Sequence, residues 1–183
     1  MFSHTSQPCQ FARDCAVVMI PSGDELTMPA GTVGYITQSL GGSFTVFIDG
    51  NLFRVAGIDA DAIGKERVMP PALPDNASDD DVEKLVWSQM KTCYDPEIPV
   101  NIVDLGLVYS CELTKNDQGE REVAVTMTLT APGCGMGDII VEDVRSKIQI
   151  IPTISSVDVQ LTFEPIWNHQ MMTEAARLET GML

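Results

Sequence analysis

Three stretches of period-two hydrophobicity limit what this chain can fold into. Val103, Leu105, Leu107, Tyr109, Cys111 and Leu113 recur at every second position, as do Val123, Val125, Met127 and Leu129, and then Val157, Val159, Leu161 and Phe163. Successive side chains of a strand point to opposite faces, so each stretch reads as a strand buried on one side. Asn116-Asp-Gln-Gly119 predicts a hairpin between the first two. Helical spacing flanks them. Val82, Leu85, Val86 and Met90 follow the N-terminal signal Ser78-Asp-Asp-Asp81, and Ile140, Val144 and Ile148 share one side of a helix between the second and third strands. The first helix should stop before Asp95-Pro96, because a residue preceding proline avoids the helical region. The order helix, strand, strand, helix, strand predicts an α+β domain, a small mixed sheet with helices on one face. The other face would be polar, with Asp104, Ser110, Glu112, Thr126, Thr128, Thr130, Asp158, Gln160 and Thr162. Met171–Thr180 predicts a short final helix.

The chain before this domain reads differently. Residues 1–16 are polar and irregular and read as a mobile tail. Residues 17–66 read as a small all-β unit, a meander or an SH3-like partial barrel. Turn signals at Pro21-Ser-Gly-Asp24 and Pro29-Ala-Gly31 precede the strand candidate Thr32–Gln38, and Asp49-Gly50-Asn51 joins Phe44–Ile48 to Leu52–Val55 as a hairpin. Residues 67–78, with Pro70, Pro71 and Pro74, read as a linker, and residues 79–183 as the second domain.

Charge and cysteine usage narrow the function classes. The chain has 183 residues and a formal net charge of −15, which repels nucleic acid and anionic membranes. No apolar run approaches bilayer-spanning length, and the first residues lack the basic start of a secretory signal, so a cytoplasmic protein is expected. Five cysteines, at 9, 15, 93, 111 and 134, include no CxxC pair, and there are two histidines. A disulfide framework or a zinc site of paired cysteines is not expected. Cys9 and Cys15 fall in the expected tail, and Cys93 and Cys111 at expected core positions.

Cys134 is different. It lies in Thr130-Ala-Pro-Gly-Cys-Gly-Met-Gly-Asp138, between an expected strand and an expected helix. Gly133 and Gly135 remove bulk beside the thiol, and a helix N-terminus favours the thiolate, the form that binds metal or attacks. Asp95-Pro-Glu97-Ile-Pro99 projects two carboxylates from a turn after the first helix. An antiparallel hairpin brings the start of its first strand, with Asp104, to the end of its second, with Thr130. One thiol with Asp95, Glu97, Asp104 and Thr130 nearby could hold iron or zinc. A plainer reading, a small residue in a tight turn beside solvated acids on a proline-rich turn, stays open, and further readings have less behind them. The glycines are spaced GxGxG rather than GxGxxG, no Gly-Lys-Ser/Thr is present, and no motif pairs Cys134 with His169 for thiol hydrolysis.

These motifs carry a family resemblance. Asp95-Pro-Glu97-Ile-Pro, Asn101-Ile-Val-Asp104-Leu-Gly-Leu-Val-Tyr109, Val125-Thr-Met-Thr-Leu-Thr130 and Cys134, in this order, resemble the small α/β iron–sulfur assembly domain of SufT- and PaaD-like proteins over about residues 79 to 165. Ile20-Pro-Ser-Gly-Asp24 and Trp167-Asn-His-Gln-Met-Met resemble the SufT branch. Gly135 stands where many relatives have proline, and Ala131 where they have a second threonine. The resemblance implies a maturation factor rather than an enzyme, with Cys134 as a ligand for iron or a transient cluster, none stably bound. Asp95, Glu97, Asp104 and Thr130 would line its pocket. Assembly scaffolds, carriers and client apoproteins would be the partners, with a homodimer as one way to share a cluster, since one thiol cannot supply a four-thiolate site. An adaptor that never touches metal and an accessory oxygenase subunit are the alternatives.

Overall fold

The computed structural model of the chain describes residues 6–95, 98–131 and 137–182, and it divides into two units, residues 1–70 and 71–183. The first unit is a six-stranded antiparallel sheet. Its strands are β1 (Gln7–Gln10), β2 (Cys15–Ile20), β3 (Glu25–Met28), β4 (Val33–Leu40), β5 (Ser43–Ile48) and β6 (Asn51–Val55), in the spatial order β1-β4-β5-β6-β2-β3. The β5–β6 turn places Asp49 at φ 48° and Gly50 at φ 89°. Two consecutive positive φ values give the turn twist that matches paired strands, which is why Asp-Gly serves there. Val46, Phe53, Val55 and Ile36 pack with Phe11 and with Ala60, Ala62 and Ile63 of a 3-10 segment, Gly57–Ile63.

Two expectations change in this unit. Residues 7–15 are not a tail: β1 pairs with β4, and Phe11 and Cys15 are each 1% exposed. Phe11 donates its N–H to Thr32 O and accepts from the Gly31 N–H, so it ties the segment down. The 3-10 segment was not read from the sequence. It is locked by Arg13, whose guanidinium bonds Asp59 and Asp61.

The second unit contains α1 (Asp79–Met90), β7 (Val108–Lys115), β8 (Arg121–Met127), α2 (Gly137–Gln149), β9 (Ile154–Leu161) and α3 (Glu174–Thr180). Its sheet has the order β7-β8-β9, antiparallel between β7 and β8 and parallel between β8 and β9. Register aligns Leu113–Val123–Val157 and Cys111–Val125–Val159 in rows. These rows share a core with Val82, Val86 and Met90 of α1 and Ile140, Val144 and Ile148 of α2. A capping box starts α1: the Asp81 N–H donates to Ser78 Oγ, and the Ser78 N–H donates back to Asp81 Oδ2. Asp79 then accepts from Lys115 at the end of β7 and Arg121 at the start of β8, pinning the helix to the hairpin.

The first alternating stretch is only half a strand. Val103–Leu107 form turns whose hydrogen bonds are local: Leu105 N–H to Asn101 O at 3.0 Å and Leu107 N–H to Ile102 O at 2.9 Å. Leu105 and Leu107 are buried, so burial of every second residue reproduced the strand pattern without a strand. Tyr109 sits where the β7–β8 register shifts, a bulge. The polar face also differs at one end: Thr128 lies beyond the last residue of β8 and is fully buried.

Candidate functional site

The end of the sheet where β7 begins and β8 finishes gathers the turns that carry the described candidate residues. After α1 the chain turns at Cys93, and Tyr94 bridges Asn101 across the Asp95–Val100 loop. Asp95 is 4% exposed and accepts from the Ile98 N–H at 2.9 Å, while its own N–H donates to Val100 O. A side chain so buried needs hydrogen-bond partners, and the Ile98 N–H is one.

Asn101 builds the second turn. Its Oδ1 accepts from the N–H groups of Val103 (3.1 Å) and Asp104 (2.9 Å), and its Nδ2 donates to Asp104 Oδ2 at 2.6 Å. Asp104 is therefore fixed by a side chain three residues before it, not by a strand, which corrects the expected placement. Short asparagine side chains favour such turns because they mimic a backbone turn. Asn101 was not singled out in the sequence, although Asn-x-x-Asp was the visible signal.

A strap from the C-terminal side of β9 closes over this turn. Trp167 Nε1 donates to Leu105 O at 2.8 Å, the Thr173 N–H donates to Asp104 O at 2.9 Å, and Tyr109 Oη donates to Pro165 O at 2.6 Å. Met172 and Ala176 of the strap are buried in the same core. Gly106, between the anchors, has φ 72°, and a Cβ on it would lie 2.2 Å from Met171 O. Only glycine meets both conditions, the left-handed backbone and the close approach.

β8 leads into the third component. The Thr128 N–H donates to Leu107 O at 2.8 Å, and Met127 O accepts from the Thr162 N–H at 2.9 Å. Thr130 follows, partly exposed. The chain re-enters the described residues at Gly137, where a Cβ would lie 2.8 Å from Leu129 Cδ1 and 3.5 Å from Leu161 Cδ1. Both ends of the intervening loop therefore meet at the finish of β8. Glu97, Gly133, Cys134 and Gly135 lie outside the described residues. Of the expected set, Asp95, Asp104 and Thr130 are placed, linked through the Tyr94–Asn101 bridge, the Asn101 side chain and the Leu107–Thr128 bond.

The described cysteines are poor thiolates. Burial pushes the Cys9 and Cys15 thiols above their ordinary value. Burial, then the charges of Glu83 and Glu112, pushes Cys111 up to about 11. Cys93 is fully buried. Among the described residues no group of three or more His, Cys, Asp or Glu side chains is gathered to hold a metal ion, and no helix is long and apolar enough to cross a membrane.

Comparison with known proteins falls on the second unit. The sequence profile of the family described as "Iron-sulfur cluster assembly protein" matches residues 83–161. An Fe-S protein maturation auxiliary factor of Porphyromonas gingivalis is 48% identical over 101 residues, 55% of this chain and 92% of that protein. The Fe-S protein maturation auxiliary factor SufT of Staphylococcus aureus is 38% identical over 88 residues, 48% of this chain and 96% of that protein. A solved domain of unknown function from Bacillus anthracis superposes with a TM-score of 0.49 at 30% identity, covering 57% of this chain and 95% of its own. The aligned relatives are matched over nearly their whole length, and the chain belongs to the iron–sulfur cluster assembly protein family.

Proposed function

We propose that this protein is an auxiliary factor in the maturation of iron–sulfur proteins, with Cys134 as the single thiolate that contacts iron or a cluster in transit. The observation that carries this reading is the contrast among the cysteines. Burial keeps Cys9, Cys15 and Cys111 protonated at neutral pH, and Cys93 is sealed in the core. The remaining cysteine belongs to the loop that leaves the site end of β8. It lies three Cα–Cα steps from Ala131 and three from Gly137, a reach of about 10 Å from either anchor. Asp95, Glu97, Asp104 and Thr130 would then supply the oxygen ligands and hydrogen bonds around it, and Gly133 and Gly135 the room.

The iron or cluster is cargo rather than a resident group. One thiolate with hard oxygen neighbours binds a cluster weakly and needs a second protein to complete the ligand set. That second protein would be a scaffold, a carrier, a client apoprotein or another copy of this chain. A cytoplasmic setting, no catalytic turnover and an appended SH3-like module at the N-terminal side complete the reading.

Anaerobic reconstitution with iron and sulfide, beside Cys134→Ala, tests it. The wild-type protein should take up iron and show sulfur-to-iron charge-transfer absorption, and the variant should lose both. Equal spectra, with client maturation intact in the variant, would leave a metal-free adaptor as the function.

A further inference from the structure

Among the described residues the two sheets have four edge strands, and three of them are protected. β1 is four residues long and contains Pro8, and β3 is four residues long and carries the exposed Glu25. β7 is bulged at Tyr109 and ends in Lys115. Shortness, proline, charge and bulges keep an edge from pairing with another chain. β9 runs for eight residues along the edge of its sheet and contains no proline, lysine or arginine. Its one irregularity lies at the start, where the register with β8 slips between Ile154 and Ser156. Gln149 of α2 covers that start, its Nε2 donating to Ile154 O at 3.3 Å and Ser155 O at 3.4 Å. Beyond it the edge is open. The Thr162 N–H donates to Met127 O at the end of β8. Successive residues of a strand turn their backbone groups to opposite sides, so those of Val157, Val159 and Leu161 face away from β8. Among the described residues no strand lies beyond them.

The side chains along this edge state what would fit it. Val157, Val159 and Leu161 point to the core face, where Val159 is buried and the other two are half-buried. On the opposite face Ser156, Asp158 and Gln160 are exposed. Asp158, whose Oδ2 accepts from Gln160 Nε2 at 2.6 Å, is the one charged residue of β9. We propose that the edge from Val157 to Leu161 docks an extended segment of another protein, which adds to the sheet as a fourth strand. Its apolar residues would extend the core face beside Val157 and Leu161, and alternate with lysine or arginine beside Asp158. Backbone bonds supply the attachment and the alternating side chains the selectivity. Charge favours this occupant over a second copy. Two β9 strands would bring Asp158 close to its own counterpart, between units that each hold seven basic against nineteen acidic residues, net −12. Like charges across a strand pair destabilise it and opposite charges stabilise it. The proposal does not depend on the role of Cys134.

The probe is a short synthetic peptide of alternating lysine and valine with both ends blocked, titrated into the full-length protein and followed by amide NMR. The Val157, Val159 and Leu161 signals should shift, and their hydrogen exchange should slow at saturation. A strand meets its neighbour with one alternate set of amides and turns the other set away. N-methylation of one set should therefore abolish binding and N-methylation of the other should leave it, the valine set being the one lost in an antiparallel strand and the lysine set in a parallel one. Asp158→Lys, at an exposed side chain, should keep the melting temperature and weaken binding about fivefold. Equal affinities of the two methylated peptides, or shifts that leave these three amides untouched, would overturn strand addition. Unchanged affinity in Asp158→Lys would overturn the basic occupant. Protection of the same amides that rises with protein concentration in the absence of peptide would give the edge to a second copy and overturn the proposal as well.

Discussion

The two units accept buried polarity on different terms. In the first, the described buried residues are all apolar, and its charges pair at the surface, as in Arg13 with Asp59 and Asp61. In the second, Asp95 and Thr128 are buried, both at the end where β7 begins and β8 finishes. The charge differs too. Residues 1–70 hold four basic against seven acidic residues, net −3, and residues 71–183 hold seven against nineteen, net −12. A sheet that buries only hydrocarbon is under no chemical tension. One that buries a carboxylate and a spare hydroxyl at a single end departs from local rules where sites are found. The family profile, over residues 83–161, falls on the same unit.

Glycine substitution is the sharpest way to break this comparison. Gly106→Ala places a methyl group against Met171 O and forces a left-handed alanine, so the second unit should lose about 2–4 kcal/mol or release its strap. The equivalent change in the first unit, Gly50→Ala, keeps the strained φ of 89° but meets open space. It should cost about 1 kcal/mol. Denaturant melts of the two variants, with proteolysis of the strap as a second readout, should separate them; equal losses would mean the strap contributes nothing to the fold.

Charge deletion should give a smaller contrast. Arg121 is 16% exposed at its side chain and holds Asp79, Thr153 Oγ1 and Ala77 O together. Arg121→Ala should destabilise the second unit by about 1–2 kcal/mol. Arg13→Ala, at a 38% exposed side chain, should cost less than about 1 kcal/mol. The Asp79 carboxyl is held below its ordinary value by hydrogen bonds from Lys115 and Arg121. Its contribution is therefore present above the ordinary carboxylate range and lost as the pH falls through the lowered value. An Asp79→Asn variant should show a flatter acid limb in a stability–pH profile.

The smallest effect lies at alkaline pH. The Cys111 thiol rises from 9.0 to about 11 in the folded protein. Between those values the unfolded chain releases a proton that the native chain keeps, so stability falls as the pH rises. Partial exposure limits the loss to on the order of 1 kcal/mol. Cys111→Ala should remove that part of the alkaline decline; a limb unchanged in the variant would show that the thiol stays as accessible folded as unfolded.

Much of the framework was legible because it rests on local signals. Ser78 and Asp81 announce a capping box, Asp49-Gly50 a tight hairpin, and the rows at Val123 and Val125 a half-buried strand. Asp104 was misplaced for a physical reason. Val103, Leu105 and Leu107, half-buried and then fully buried, face the core at every second position whether backbone bonds run across a sheet or back to Asn101. The strap was not legible, because Trp167 and Leu105 are 62 residues apart and nothing in either neighbourhood encodes the other. Thr128 was read only as part of a polar face, because alternation assigns a face but not what covers it.

That separation also imposes an order of events during synthesis. The hairpins of the first unit close within a few residues and can fold as they emerge, and β7 can pair with β8 soon after. The turn carrying Asp104 must then wait for residues 167–173 to be made before its carbonyls find their donors. A nascent chain thus carries a finished first unit ahead of an unfinished second one. The second unit therefore closes its Asp104 turn in a late step, after most of the chain has been translated.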